Sequence, residues 1–269
     1  MKHFRTSFMV TGLAFALLIG TAQAGLTDGM IAYYPFNPSD VVPTDYAGTH
    51  DGTLSGSPLP QKGPDIVKNP TAAYHFQPNG HINVPSMKGL YLSTYSFVSW
   101  FTVDEMASDN MILTKGRAGE DVCSIGLWVE EDGHVGGEHE LIDPVDPTHD
   151  GPGMQVISNV TVEAGRWYGV ALTYDGTSLK LYVGSPCCDL LDVASRIVGP
   201  PGKLNPGPLD IGANGEHDLF FRGSIDEVRI FDRALSELEA EYYVTGCVPE
   251  PGTMGLLGLG ALVMRRRRR

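Results

Sequence analysis

Trp167-Tyr168-Gly169-Val170-Ala171-Leu172-Thr173-Tyr174, then Asp175-Gly176, then Leu179-Lys180-Leu181-Tyr182-Val183 is the stretch that decides the architecture. Val170, Leu172 and Tyr174 fall two apart, as do Leu179, Leu181 and Val183, so each run offers one apolar face in the manner of a strand. Asp175-Gly176 supplies the positive φ that a tight hairpin turn needs. Working outward, further β-type runs cover Met30–Tyr34, Ala72–Phe76, His81–Val84, Ser96–Val103, Met111–Thr114, Ser124–Val129, Leu209–Gly212 and Ser224–Phe231, separated by Gly, Pro, Asn and Asp. None keeps helical apolar spacing over the ~11 residues that a helix requires. Short strands punctuated in this way predict an all-β, antiparallel two-sheet sandwich or a barrel. After Leu235, Ser236 and Glu239 stand three apart as a capping box before Ala240-Glu241-Tyr242-Tyr243, which predicts one short C-terminal helix over an edge or end of the sheets.

Both ends of the chain read as targeting signals. Met1 to Arg5 is basic, Phe8 to Ile19 is apolar, and Ala22-Gln23-Ala24 precedes Gly25. That order predicts a cleaved secretory signal peptide over residues 1–24, because the apolar run falls short of the ~20 residues a spanning helix needs. At the other end, Pro249-Glu250-Pro251 is followed by a Gly- and Leu-rich apolar stretch from Met254 to Met264 and five arginines, Arg265 to Arg269. The prolines break any preceding element, and the arginines hold the end in the cytoplasm. Residues 247–269 thus resemble a PEP-CTERM sorting tail of Gram-negative bacteria. The resemblance implies transient anchoring in the inner membrane, processing beside the motif by an exosortase-type enzyme, and delivery to the cell surface or extracellular matrix.

Seven of the 19 basic residues (Lys2, Arg5 and Arg265–Arg269) belong to these two segments, and of the 32 acidic residues only Glu250 does, leaving 12 basic to set against 31 acidic residues. A surface so acidic repels nucleic acid and anionic lipid, which excludes nucleic-acid partners. Residues 25–246 suit one sandwich domain, with no internal repeat or linker to divide them. Four cysteines, Cys123, Cys187, Cys188 and Cys247, are bound for an oxidising compartment where disulfides form. Three full pairings are open, although the adjacent Cys187 and Cys188 favour different partners.

Several segments, taken in order, resemble the LamG-like, concanavalin A-type jelly-roll family of secreted bacterial proteins. They are Gly29 to Phe36, the loop Asp45-x-x-Gly48-x-His50-Asp51-Gly52, Tyr95 to Phe101, the hairpin quoted above, and Phe221-Arg222-Gly223-Ser224-Ile225-Asp226-Glu227-Val228-Arg229-Ile230-Phe231-Asp232-Arg233-Ala234-Leu235-Ser236. The last string is the most specific. Two departures stand out: Gln77-Pro78-Asn79-Gly80 replaces an Asp-rich turn, and the connection from Glu130 to Gly153 is long. Trp100 and Trp167 are expected in the sandwich core.

The resemblance also implies a structural calcium ion, with Asp226 as the aspartate of the last long strand and the N-terminal loop adding Asp45 and carbonyl oxygens near Gly48 and His50. Such a cation takes six to eight oxygens, roughly, so carbonyls and waters would complete the shell. Pairing of Asp226 with Arg229 is the competing, purely structural role. A second candidate is the acidic, histidine-bearing stretch from Glu130 to Asp150, with Glu138, His139, Asp143, Asp146 and His149 as ligand-binding candidates. Its spacing matches no metal signature, and such segments are commonly solvated loops.

Glucanases of this fold carry paired glutamates around an aspartate on one strand, where alternation sets nucleophile and acid on one face about 5 Å apart. Glu130-Glu131-Asp132 begins that pattern, but His134 and Val135 stand where the second glutamate is needed. The expectation is therefore a non-catalytic surface protein that binds carbohydrate or another surface partner. A structural matrix component and a divergent carbohydrate-active enzyme are the alternatives. Tyr91, Tyr95, Trp128, Phe220 and Phe221 are the aromatic candidates for stacking on sugar rings.

Overall fold

Strand alternation runs through most of the chain in the computed structural model, which describes residues 25–246 except 68, 70, 88–89, 107–109, 117–122, 143–149, 187–188, 200–206 and 216. In chain order the strands are β1 (Met30–Tyr34), β2 (Thr53–Ser55), β3 (Gln61–Gly63), β4 (Ala73–Phe76), β5 (His81–Val84), β6 (Tyr95–Val103), β7 (Asn110–Gly116) and β8 (Cys123–Val129). They continue as β9 (His134–Ile142), β10 (Asp150–Thr161), β11 (Tyr168–Tyr174), β12 (Ser178–Ser185), β13 (Asp189–Ile197), β14 (Leu209–Ile211) and β15 (Gly223–Phe231), and a helix α1 (Glu237–Thr245) follows. The signal-peptide residues 1–24 and the sorting tail 247–269 lie outside the described residues. No helix among the described residues is long and apolar enough to cross a membrane.

Two antiparallel sheets form the sandwich. The eight-stranded sheet runs β13-β12-β11-β6-β15-β4-β3, with β1 also paired to β15, and the seven-stranded sheet runs β10-β9-β8-β7-β14-β5-β2. The predicted hairpin is β11–β12, with Val170 opposite Val183, Leu172 opposite Leu181 and Tyr174 opposite Leu179. All six side chains are buried between the sheets. There they meet Ile125, Leu127 and Val129 of β8, Phe97 and Phe101 of β6, and Ile225 and Ile230 of β15.

Strand β15 bends at Asp226–Glu227, where its register with β6 shifts and Glu227 adopts φ +54°. Such a bulge lets one edge of β15 pair with β4 over Gly223–Ile225 and with β1 over Val228–Phe231. The strands β1, β2 and β3 therefore belong to the same two sheets as the later strands.

Helix α1 starts as the sequence predicts. Ser236 Oγ accepts from Glu239 N, the Glu239 carboxylate accepts from Ser236 N at 2.8 Å, and the Arg233 guanidinium grips the same carboxylate at 3.0 and 2.7 Å. Its position corrects the expectation of an edge or end: α1 lies on the outer face of the eight-stranded sheet. Ala240, Tyr243 and Val244 pack there on Val98, Ala171, Tyr182 and Phe231. Gly169 and Gly184 allow this approach, since a Cβ at either would sit 2.2 or 2.5 Å from the Val244 carbonyl oxygen. Gly246 ends the helix at φ +69°, donating its N–H to Tyr242 O.

The two tryptophans depart from expectation. Trp100 is buried, but it alternates with Phe97, Phe101 and Val103 and so lies on the outer side of β6, near Gly246. Trp167 is only half-buried, just before β11. A larger correction concerns the stretch from Glu130 to Gly153. After a turn at residues 130–133, its described residues are not a solvated loop but all of β9 and the start of β10, which pair along the edge of the seven-stranded sheet.

Candidate functional site

On the seven-stranded sheet, β8 points Ile125, Leu127 and Val129 into the core and so turns Gly126 and Trp128 outward. On β9, Val135, Gly137 and His139 face inward, leaving Gly136 and Glu138 outward. Pairing sets Trp128 opposite Gly136 and Gly126 opposite Glu138. The Trp128 ring lies across Gly136, where a Cβ would come within 2.2 Å of it. Gln155 of β10 stands opposite Glu138 and donates from Nε2 to its Oε2 at 3.1 Å.

These side chains line a cleft of about 360 Å³, with Met111, Trp128 and Leu219 as apolar walls and Glu130, Glu138, Gln155 and Asn214 as polar ones. Asn214 and Leu219 come from the loop after β14. That loop is held by its own bonds: Asn214 Oδ1 accepts from Asp218 N and Leu219 N at 3.1 Å, and Asn214 Nδ2 donates to Asp218 Oδ1 at 2.6 Å. Burial pushes the Glu138 carboxyl up, against the lowering effect of the Gln155 hydrogen bond. Apolar walls beside carboxylates and carboxamides suit a ligand that carries both CH faces and hydroxyl groups.

Beside the cleft, the same outer face carries a second polar group. His81 of β5, Asp210 of β14 and His217 of the loop after β14 bring their ligand-type atoms within 4.8 Å of one another. Their origin is the same alternation: Leu209 and Ile211 point into the core, so Asp210 points out beside Asn83, which donates to Asp210 Oδ1 at 2.7 Å.

The predicted calcium residues fall into two separate places. Both oxygens of Asp45 are engaged by backbone N–H groups, Oδ1 by Tyr33 and Ala47 and Oδ2 by His50, at 2.9–3.0 Å. Gly48 is packed where a Cβ would meet Ile31 O at 2.7 Å and Asp45 Oδ2 at 2.8 Å, and the His50 carbonyl accepts from the Tyr34 hydroxyl. This knot closes on the N–H and C=O of Tyr33, on the edge of β1 away from β15. Asp226 sits in the β15 bulge and accepts from Glu227 N at 2.7 Å. Burial, then Glu227 and Asp65, push its carboxyl up to about 8, against the pull of Arg229. Arg229 itself is bonded to Glu227 rather than to Asp226. Asp45 is thus fixed at the outer edge of β1 and Asp226 in the β15 bulge.

Of the acidic stretch, Glu138 lines the cleft, whereas His139 is a correction. His139 is 0% exposed between the sheets, with Nδ1 2.8 Å from the Tyr95 hydroxyl, Nε2 3.0 Å from Gly199 O and its ring edge-on to Tyr174. Burial holds it down to about 4, so it is a neutral core group, inaccessible to ligand. Asp143, Asp146 and His149 lie outside the described residues, as do Cys187, Cys188 and Cys247; Cys123 opens β8. Glu130-Glu131-Asp132 leads into the turn between β8 and β9 instead of running along a strand. Among the aromatic candidates, Trp128 lines the cleft but is 7% exposed, Tyr95 and Phe221 are fully buried, Tyr91 is exposed, and Phe220 lies beside His81. Sequence reasoning missed His81, Asp210 and His217. The signal was there in part, as polar residues alternating with apolar ones in His81-Ile82-Asn83-Val84 and Leu209-Asp210-Ile211.

Comparison with known proteins agrees with this architecture. A family model described as the concanavalin A-like lectin/glucanases superfamily matches residues 76–241, and one for the PEP-CTERM protein-sorting motif matches residues 248–269. No curated protein matches the sequence. Among solved structures, domain 4 of AbnA, a GH43 extracellular arabinanase from Geobacillus stearothermophilus in complex with arabinotriose, is 18% identical with a TM-score of 0.56, covering 80% of this chain and 98% of that one. Trypanosoma rangeli sialidase is 16% identical with a TM-score of 0.55, covering 81% of this chain but 33% of its own. The botulinum neurotoxin serotype D binding domain is 14% identical with a TM-score of 0.54, covering 80% of this chain and 50% of its own. The chain thus spans about a third of the sialidase and half of the neurotoxin domain.

Proposed function

Because the chain belongs to the concanavalin A-like lectin/glucanases superfamily and ends in a PEP-CTERM sorting motif, we propose that it is a non-catalytic surface or matrix protein of a Gram-negative bacterium that binds carbohydrate in its outward cleft. The motif implies export to the cell envelope; transient inner-membrane residence and exosortase-type processing complete the reading. The observation that carries it is the cleft itself. Leu219, with the small exposed parts of Trp128 and Met111 (7% and 6% exposed), offers a sugar's CH faces an apolar surface, and Glu130, Glu138 and Gln155 stand ready for its hydroxyls. The arabinotriose complex of a neighbour with the same fold supports this choice of ligand class. Retention on immobilised polysaccharides, arabinan among them, tests it. Binding that Glu138→Gln and Gln155→Ala weaken about tenfold is expected, and no retention on any polysaccharide would leave the structural matrix role.

One observation favours a second reading, hydrolysis. Glu130 and Glu138 line the same cleft, and the burial that raises Glu138 is what a general acid requires. Release of reducing sugars from arabinan or β-glucan, lost in Glu138→Gln, would establish it; bound but uncut polysaccharide supports the binding role.

A further inference from the structure

The cluster beside the cleft has the chemistry and spacing of a metal centre, and the geometry points to a zinc-class divalent transition ion held by His81, Asp210 and His217. This goes beyond the carbohydrate reading and uses none of the residues named as its test.

Two ligands bound to one tetrahedral zinc at about 2.0–2.1 Å stand roughly 3.3 Å apart. His217 Nε2 is 3.4 Å from Asp210 Oδ1, which is already that separation, and His81 Nε2 is 4.0 Å from the same oxygen, somewhat beyond it. Neither distance is a hydrogen bond as it stands. His217 Nε2 is buried and makes none, and His81 Nδ1 is likewise buried and unbonded. The two imidazoles stack with centroids 4.1 Å apart, an arrangement that would be repulsive if both were protonated.

The surroundings are built to match. Asp210 and His81 are anchored on paired strands, and Asn83 orients Asp210 through its 2.7 Å bond, as the outer partner of a metal-binding carboxylate does. His217 sits at φ +59°, a left-handed conformation rare for a residue with a side chain. Two nitrogens and one carboxylate favour zinc, nickel, copper or cobalt over calcium or magnesium, which prefer oxygen shells. Three protein ligands leave a fourth position for water. The ion would tie β5 and β14 to the loop that supplies Asn214 and Leu219, and so fix one wall of the cleft.

The test uses the purified chain, stripped with chelator and then given Zn²⁺, Ca²⁺ or Co²⁺. A rise in melting temperature of several degrees with equimolar Zn²⁺ but not Ca²⁺, and the intense visible absorption of tetrahedral Co²⁺, are expected. His217→Asn keeps a residue tolerant of positive φ and should abolish both signals while leaving the melting temperature of the stripped chain nearly unchanged. His81→Gln should abolish them too. Absence of both signals in the unaltered chain, or their survival in His217→Asn, overturns the site, whatever the outcome of the carbohydrate assays.

Discussion

The outer faces of the two sheets both depend on glycine, but to opposite ends. On the eight-stranded sheet, Gly169 and Gly184 remove side chains so that α1 can lie directly on the strands, and the helix then buries Ala171, Tyr182 and Phe231. On the seven-stranded sheet, Gly136 makes room for the Trp128 ring and Gly126 leaves space beside Glu138. One face is closed by the protein's own chain, and the other stays open with polar groups upon it. The difference teaches that the face left open is the one whose glycines, Gly126 and Gly136, have no backbone packed on them.

The sharpest way to break this comparison is to make the same substitution on both faces. Gly169→Val should cost roughly 3 kcal/mol or more, because backbone rather than a flexible side chain blocks the new Cβ. Urea unfolding would measure it, and a midpoint close to the unaltered chain's would mean that α1 docks less tightly than described.

Next comes pH. His81 and His139 are held down to about 4 from 6.5, so the unfolded chain takes up protons that the folded one refuses. Stability from them is full above pH 6.5 and is lost as pH falls towards 4. Asp226 has the opposite sign, raised from 3.8 to about 8: the folded chain keeps its proton, and stability is full below 3.8 and declines as pH rises through 8. Melting curves across pH 4–9 should show both limbs, and Asp226→Asn should flatten only the alkaline one.

Ser236→Ala removes the cap that starts the helix and should cost about 1 kcal/mol in the same urea experiment. Smallest is Gly126→Val, whose new Cβ would find its nearest neighbours at 3.7 and 3.8 Å, an ordinary contact. It should cost less than about 1 kcal/mol, since only side chains at ordinary contact distance meet the new Cβ at this buried position, while the added methyls crowd the cleft and weaken retention on polysaccharide. Equal losses from Gly126→Val and Gly169→Val would erase the distinction between the faces.

Much of this fold was legible because its central strands alternate cleanly. Val170, Leu172 and Tyr174 against Leu179, Leu181 and Val183 specify a hairpin and the face it buries. The capping box located α1 to the residue, but not the face it covers, since that depends on Gly169 and Gly184 as partners. Edge strands were harder. In β9 the inward positions are Val135, Gly137 and His139, only one of them a strong apolar residue, so the segment reads as a charged loop. His139 is satisfied by Tyr95, a partner 44 residues away that no local pattern reveals. β13 shows a similar weakness, with most of its residues exposed. The cleft and the histidine cluster were illegible for a related reason: alternation says which residues face outward, while strand order decides which of them meet.

The cap at Gly246 has a consequence for how the domain is presented. Gly246 is the last described residue, on the side of the sandwich that α1 covers, and the sorting motif begins at residue 248. A tether attached at that point would pull on the helix-clad side, opposite the face that carries Trp128, Glu138 and the histidines.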